Sequence, residues 1–204
     1  MQQIYQKIWE LAKPYYEKGR PMDIVHIEWF MEIATMVCDK EKLDDTILLP
    51  LVILHDVGYS RVKDVAEKNY YQLDIRRFHM DEGKKITEEI LRAVAYPEEK
   101  IKIIADYVGV HDNWAFGEVD RFTNNPILGT FKDLDYLWIY TGKGSKAIQE
   151  NMRKSDREML KFLKSEPSPI YGKKPFSNET TKQLHKELLT ERELELGNGS
   201  VDSS

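Results

Sequence analysis

Cysteine is nearly absent: Cys38 stands alone among 204 residues. That excludes an intrachain disulfide and a thiolate zinc site, and so sparing a use of cysteine suits a reducing cytoplasm, the compartment expected here. There is no glycine-rich phosphate loop and no Gly-x-Ser-x-Gly run, which removes the sequence signals of a P-loop and of a serine-hydrolase elbow. No apolar run approaches the roughly 18–20 residues that cross a bilayer, and the opening MQQIYQKIWELAK lacks the apolar stretch of a signal peptide. A basic excess is missing too. The net charge of −5 disfavours a nucleic acid polymer as partner, because phosphate-backbone binding needs clustered positive charge. Alternating β-type patterning and internal repeats are also lacking.

What is present is helical periodicity. A hydrophobic fraction of 41% supports one globular domain with a sizeable core. The apolar spacing predicts helices over 3–18, bent or broken near Pro14, and over 22–39, where Met22, Val25, His26, Trp29, Phe30, Ile33 and Val37 share a face. A third helix over 44–57 takes Asp44, Asp45 and Thr46 as its N-cap region, is apolar nearly all round, and tolerates Pro50 only near its start. Residues 59–74 read as a loop with a short helical turn. Further helices are expected over 75–93 (stripe His79, Gly83, Ile86, Ile90, Ala93), 97–111 (Ile104, Tyr107, Val108, His111), 126–141 (Ile127, Leu128, Phe131, Leu134, Asp135, Trp138), 146–165 and 179–196. The expectation is an all-α bundle of seven or eight helices, with 166–196 a connector and C-terminal helix and 197–204 a disordered polar tail.

The stretch ILLPLVILHDVGYS, residues 47–60, raises a chemical question. It drives His55 and Asp56 into the end of the most hydrophobic segment, and an unpartnered buried charge costs several kcal/mol. Of the five histidines, four (His26, His55, His79 and His111) fall on apolar stripes of four separate helices, and Asp135 falls on a fifth. One inward histidine is ordinarily a core residue bound to a carbonyl. Four, with Asp56 and Asp135, are better explained together, by convergence on a metal centre. A cation would also offset the burial of the carboxylates. His185, on a charged helix, is expected at the surface, as are Glu28 and Glu32.

The order His26, then His55-Asp56 in LVILHDVGYS, then Asp135 in FKDLDYL resembles the HD superfamily of metal-dependent phosphohydrolases, over roughly residues 20–141. FKDLDYL is similar to that family's Ala-Asp-Arg-Leu segment. Asp135, rather than Asp133, takes the ligand register and lies on the apolar stripe, where Asp133 does not. The resemblance implies an HD-type helical domain over 1–165 with its metal site at the centre. His79, in FHMDEGKKITEEIL, and His111 resemble the dinuclear branches. Carried over, His26, His55, Asp56 and Asp135 would hold one metal, and Asp56, His79 and His111 a second. With a single metal, His79 and His111 would line the site and touch substrate phosphate instead. Gly83, one turn past His79, suits a close helix approach.

The resemblance implies hydrolysis of a small phosphoester or nucleotide by a metal-activated water, with no protein nucleophile. Iron or manganese is favoured, with magnesium, zinc and nickel as other choices. Asp112, beside His111, is a second-layer partner or proton shuttle. Several relatives carry Lys or Glu where this chain has Tyr59, which mildly weakens the hydrolase assignment. Tyr59 and the next cation, Arg61, are the substrate-binding candidates on this segment. A di-iron oxygenase of the same superfamily is the alternative, and a non-catalytic sensor stabilised by metal ranks last. A homo-oligomer is left open.

Overall fold

The structure is a computed structural model and describes residues 2–63, 72–118, 120–165 and 176–198. Among the described residues there are nine α-helices and no strand. No helix there is long and apolar enough to cross a membrane.

The centre is α3 (Asp45–Leu54), in which all eight residues from Ile47 to Leu54 are buried. Burying each large aliphatic side chain contributes about 2 kcal/mol, so this helix anchors the core. It touches α1 (Gln3–Lys18), α2 (Asp23–Glu41), α5 (Glu98–Val108) and α6 (Pro126–Leu137). Asp44 caps α3 by accepting from the Thr46 amide at 3.0 Å. Pro50 lies well inside the helix rather than near its start. It takes one donor away from the ladder, and the Thr46 carbonyl one turn back accepts instead from the Tyr96 hydroxyl at 2.8 Å.

Around this core, α1 presents Tyr5, Ile8, Trp9, Ala12 and Tyr16, and is continuous through Pro14 rather than broken there. The buried residues of α2 include Asp23, His26, Ile27, Phe30, Met31, Ala34, Val37 and Cys38. Met22 (64% exposed) and Val25 (37% exposed) do not share the inward face expected of them. The helix is rotated so that Ile27, Met31 and Ala34 point inward instead. α4 (Leu73–Ala93) packs on α5 and on a 3₁₀ turn over Val57–Arg61 that follows α3. Ala93, at its C-terminal end, is exposed.

The expected helix over 146–165 is two helices, α7 (Gly142–Met152) and α8 (Asp156–Lys164). Arg153 adopts the left-handed conformation at φ 50° and ends α7. Ser155 and Glu158 then form a reciprocal capping box that starts α8. α9 (Glu179–Asn198) lies against α6, α8 and α2. It includes Gly197 and Asn198, which had been assigned to the tail. The rest of that tail, residues 199–204, and the connector residues 166–175 are outside the described residues, as are 64–71 of the loop after the His-Asp pair.

Candidate metal centre

Three of the four inward imidazoles are oriented by the backbone of the helix they belong to or follow. His55 follows the last residue of α3, and its Nδ1 faces the Val52 carbonyl at 2.9 Å. His111 follows α5 in the same way, with Nδ1 2.7 Å from the Val108 carbonyl. These carbonyls belong to the last turn of a helix and have no partner within it. The two rings therefore cap their helices and are locked in direction. His79 lies within α4, with Nδ1 3.4 Å from the Ile75 carbonyl. Facing a carbonyl, each Nδ1 is placed to donate its N–H, which turns Nε2 inward; on His55 and His79, whose pKa values burial lowers, that Nε2 keeps its lone pair. That is the tautomer a metal-binding histidine adopts.

The Nε2 atoms and the carboxylates converge in two groups, His26–His55–Asp135 and Asp56–His79–His111, each offering ligand atoms within 4.8 Å of one another. Asp56 faces both. Its Oδ1 is 3.3 Å from His79 Nε2 and 3.3 Å from His111 Nε2, and its Oδ2 is 3.5 Å from His55 Nε2. His26 Nε2 is 3.5 Å from Asp135 Oδ1 and is a buried nitrogen with no hydrogen-bond partner. Lone pairs crowded in this way repel unless a positive charge sits among them. The residues therefore fit a divalent cation set, and the orphaned His26 nitrogen is the clearest sign of it.

The electrostatics agree. Burial lowers the pKa of His26 to about 3, with His55 adding to the effect. Burial also lowers His55 and His79, against the pull of Asp56. His111 differs: burial opposes its charge, but hydrogen bonding to Asp56 and the field of Asp112 raise its pKa to about 9. Asp56 is held well below the carboxylate range; burial works against this, and His55, His111, His79 and Arg20 outweigh it. Without a metal, a proton on His111 is the cation that the group around Asp56 collects.

Close packing seats the turn after Asp56 against the helix that carries His79. A Cβ at Gly58 would collide with the His79 carbonyl and the Gly83 amide, so the turn after Asp56 sits directly on α4. Gly83 faces the same contact, and its missing Cβ would lie 3.1 Å from a Val108 methyl. Phe131 of α6 packs edge-on against His55 (5.1 Å) and His111 (6.0 Å). His26 stacks between Phe30 and Trp138.

The other expected residues are distributed unevenly. Asp112 is buried and paired with Arg76 at 2.6 Å, with its Oδ2 4.0 Å from His79 Nε2. Tyr59 is buried and stacks on His79 at 4.0 Å between ring centres; burial and Asp56 push its phenol well above the usual range. Arg61 is exposed at the end of the 3₁₀ turn, and Glu28 and Glu32 are exposed.

Two assignments are corrected. His185 is buried, not at the surface, and packs against Tyr140, Phe176 and Tyr136. Asp133 is buried as well, on the side of α6 that faces α9, where it accepts from the Ser177 amide at 2.6 Å and the Thr181 hydroxyl at 2.9 Å. α6 thus has two buried sides, and only Asp135 faces the histidines.

Sequence reasoning missed Arg20, Asp23 and Arg76. Arg20 reaches Asp56 Oδ2 at 3.4 Å and Asp23 Oδ1 at 3.0 Å. Asp23 was legible only as a helix-start residue, yet burial raises its pKa to about 7 against the pull of Arg20. Residues in a short turn such as 19–22 carry no periodicity, so nothing in the pattern marks Arg20 as inward.

A family model described as HD domain matches residues 24–173. No curated protein and no solved structure matches the chain.

Proposed function

The chain belongs to the HD-domain family, and from that premise we propose that it is a metal-dependent phosphohydrolase acting on a small phosphoester or nucleotide. The observation that carries the reading is the placement of Asp56, whose two oxygens are divided between two histidine groups. In this reading His26, His55 and Asp135 would hold one divalent ion and Asp56, His79 and His111 another. A bound divalent ion supplies Lewis acidity and brings the pKa of water toward about 7.

The remaining roles fall to the chain itself. The Val52, Val108 and Ile75 carbonyls fix three imidazoles in place, so that little reorganisation is needed when charge develops. Phe30, Phe131 and Trp138 pack around His26 and His55 and exclude water from that side. Asp112, whose Oδ2 is held by Arg76 at 2.6 Å and lies 4.0 Å from His79 Nε2, backs the His79 side of the group. Iron or manganese is the favoured metal, since imidazole with carboxylate suits both.

The test is elemental analysis of protein purified without chelator, followed by a phosphoester and nucleotide screen with Mn²⁺, Mg²⁺ and Fe²⁺. Bound metal with turnover on at least one phosphoester is the expected result. Metal-free protein with no turnover in any condition would overturn it. A di-iron oxygenase is the second reading, favoured by a neutral phenol at position 59 where hydrolytic relatives carry Lys or Glu. Oxygen consumption with a mixed-valent iron signal, in the absence of phosphoester turnover, would select it.

A further inference from the structure

We propose that Arg20 forms an anion subsite beside the ligand cluster and binds the phosphoryl group of the substrate. The inference rests on the phosphohydrolase reading.

The guanidinium lies over the Tyr59 ring, 4.6 Å from its centre, and Tyr59 in turn lies flat on His79 at 4.0 Å and 8°. Guanidinium, phenol and imidazole therefore form three layers. The same guanidinium meets Asp56 Oδ2 at 3.4 Å and is held from behind by Asp23 Oδ1 at 3.0 Å. Its backbone is fixed as well, because a Cβ at the preceding Gly19 would lie 2.7 Å from the Ser60 amide. Arg20 is thus a pre-positioned cation in direct contact with the carboxylate that both histidine groups share.

Exposure favours ligand contact over a purely internal role. The Arg20 side chain is 20% exposed and Asp56 12%, against 6% for Asp23. The cluster reaches solvent at Arg20 and also at Asp135, whose side chain is 24% exposed. An anion arriving there meets carboxylates at Asp56 and Asp135, and Arg20 adds positive charge beside Asp56. Tyr59 is uncharged at neutral pH and Arg61 is exposed. A planar guanidinium presents parallel N–H groups that match two phosphoryl oxygens. Arg76 differs: its side chain is 11% exposed against 20% for Arg20, and it pairs with Asp112 rather than with the shared Asp56.

The experiment compares metal-loaded wild type, R20K, R20M and a control, K85M, whose lysine is exposed. Inorganic phosphate is titrated by calorimetry, metal content is measured, and KM and kcat are separated on a phosphoester that wild type hydrolyses. For R20M the expected result is at least tenfold weaker phosphate binding and a raised KM with unchanged metal content. R20K should recover part of the loss, and K85M should match wild type. Phosphate affinity and KM within twofold of wild type in R20M would overturn the subsite.

A second measurement needs no variant. Phosphate should protect Arg20 of the metal-loaded wild type from an arginine-selective dicarbonyl, mapped by peptide mass. Equal modification with and without phosphate overturns the proposal even if R20M fails to fold. If wild type itself neither binds phosphate nor hydrolyses a phosphoester, the phosphohydrolase reading falls and the subsite with it. If wild type does both and R20M is unchanged, only the subsite falls.

Discussion

His79 and His111 bring their Nε2 atoms to 3.2 Å of each other, while the Nδ1 of each faces a main-chain carbonyl. Two lone pairs do not settle at that distance, so the group collects positive charge: a proton on His111 when no metal is bound, or a bound ion in its place. Adding Mn²⁺ or Fe²⁺ to chelator-treated protein is therefore expected to stabilise it. At a free ion concentration one hundred times Kd, the gain is about 2.7 kcal/mol. In a chain of this size that raises Tm by about 5–10 °C. His55→Ala or Asp56→Ala should abolish the metal-dependent shift and the activity together. Scanning calorimetry with and without chelator measures it, and an unchanged Tm would count against a metal centre.

The two aspartates of α6 should separate cleanly. Asp135→Asn is expected to reduce metal content and activity with little effect on the metal-free unfolding midpoint. Asp133→Ala should cost about 2 kcal/mol, because it strands the Ser177 amide and leaves the buried Lys132 ammonium without this carboxylate. Metal analysis paired with urea unfolding distinguishes them, and the opposite pattern would exchange their roles.

Gly58→Ala tests the contact between the 3₁₀ turn and α4. The new methyl would meet backbone atoms at His79 and Gly83, and backbone cannot yield as a side chain can. A loss of about 3 kcal/mol or more, with metal content reduced, is expected. Gly83→Ala, which meets a Val108 methyl at 3.1 Å, should cost clearly less. Denaturant midpoints of the two variants decide the ranking.

His26 predicts a pH dependence. Its folded pKa is depressed from 6.5 to about 3, so the unfolded chain binds a proton that the folded chain refuses. Its contribution to stability is complete above about pH 6.5 and is lost progressively as the pH falls toward 3, at about 1.4 kcal/mol per pH unit for one proton. Metal-free wild type should therefore lose stability across that window more steeply than His26→Asn. Parallel curves from urea unfolding at a series of pH values would refute the assignment.

The inward histidines were legible because each occupies an apolar stripe with a period of its own, and four such coincidences point one way. His185 was not, because the face it needs is supplied from elsewhere in the chain, by Tyr136, Tyr140 and Phe176. A charged helix gives no local sign that one of its sides will be covered. His185→Ala is expected to lower stability by about 1–3 kcal/mol while leaving metal stoichiometry intact, as calorimetry and elemental analysis would register. The split of the expected 146–165 helix was hidden for a different reason. Its capping box was readable in Ser155 and Glu158, but the apolar period runs on across the break.

The hydrogen bonds from Ser177 and Thr181 to Asp133 give the C-terminal helix leverage over chemistry it never touches. Asp135 sits two residues further along the same helix, so the bearing of that carboxylate is set partly by a segment more than forty positions downstream. Shortening the chain before residue 176 would cut this tether, and the first symptom would be an ion held more loosely.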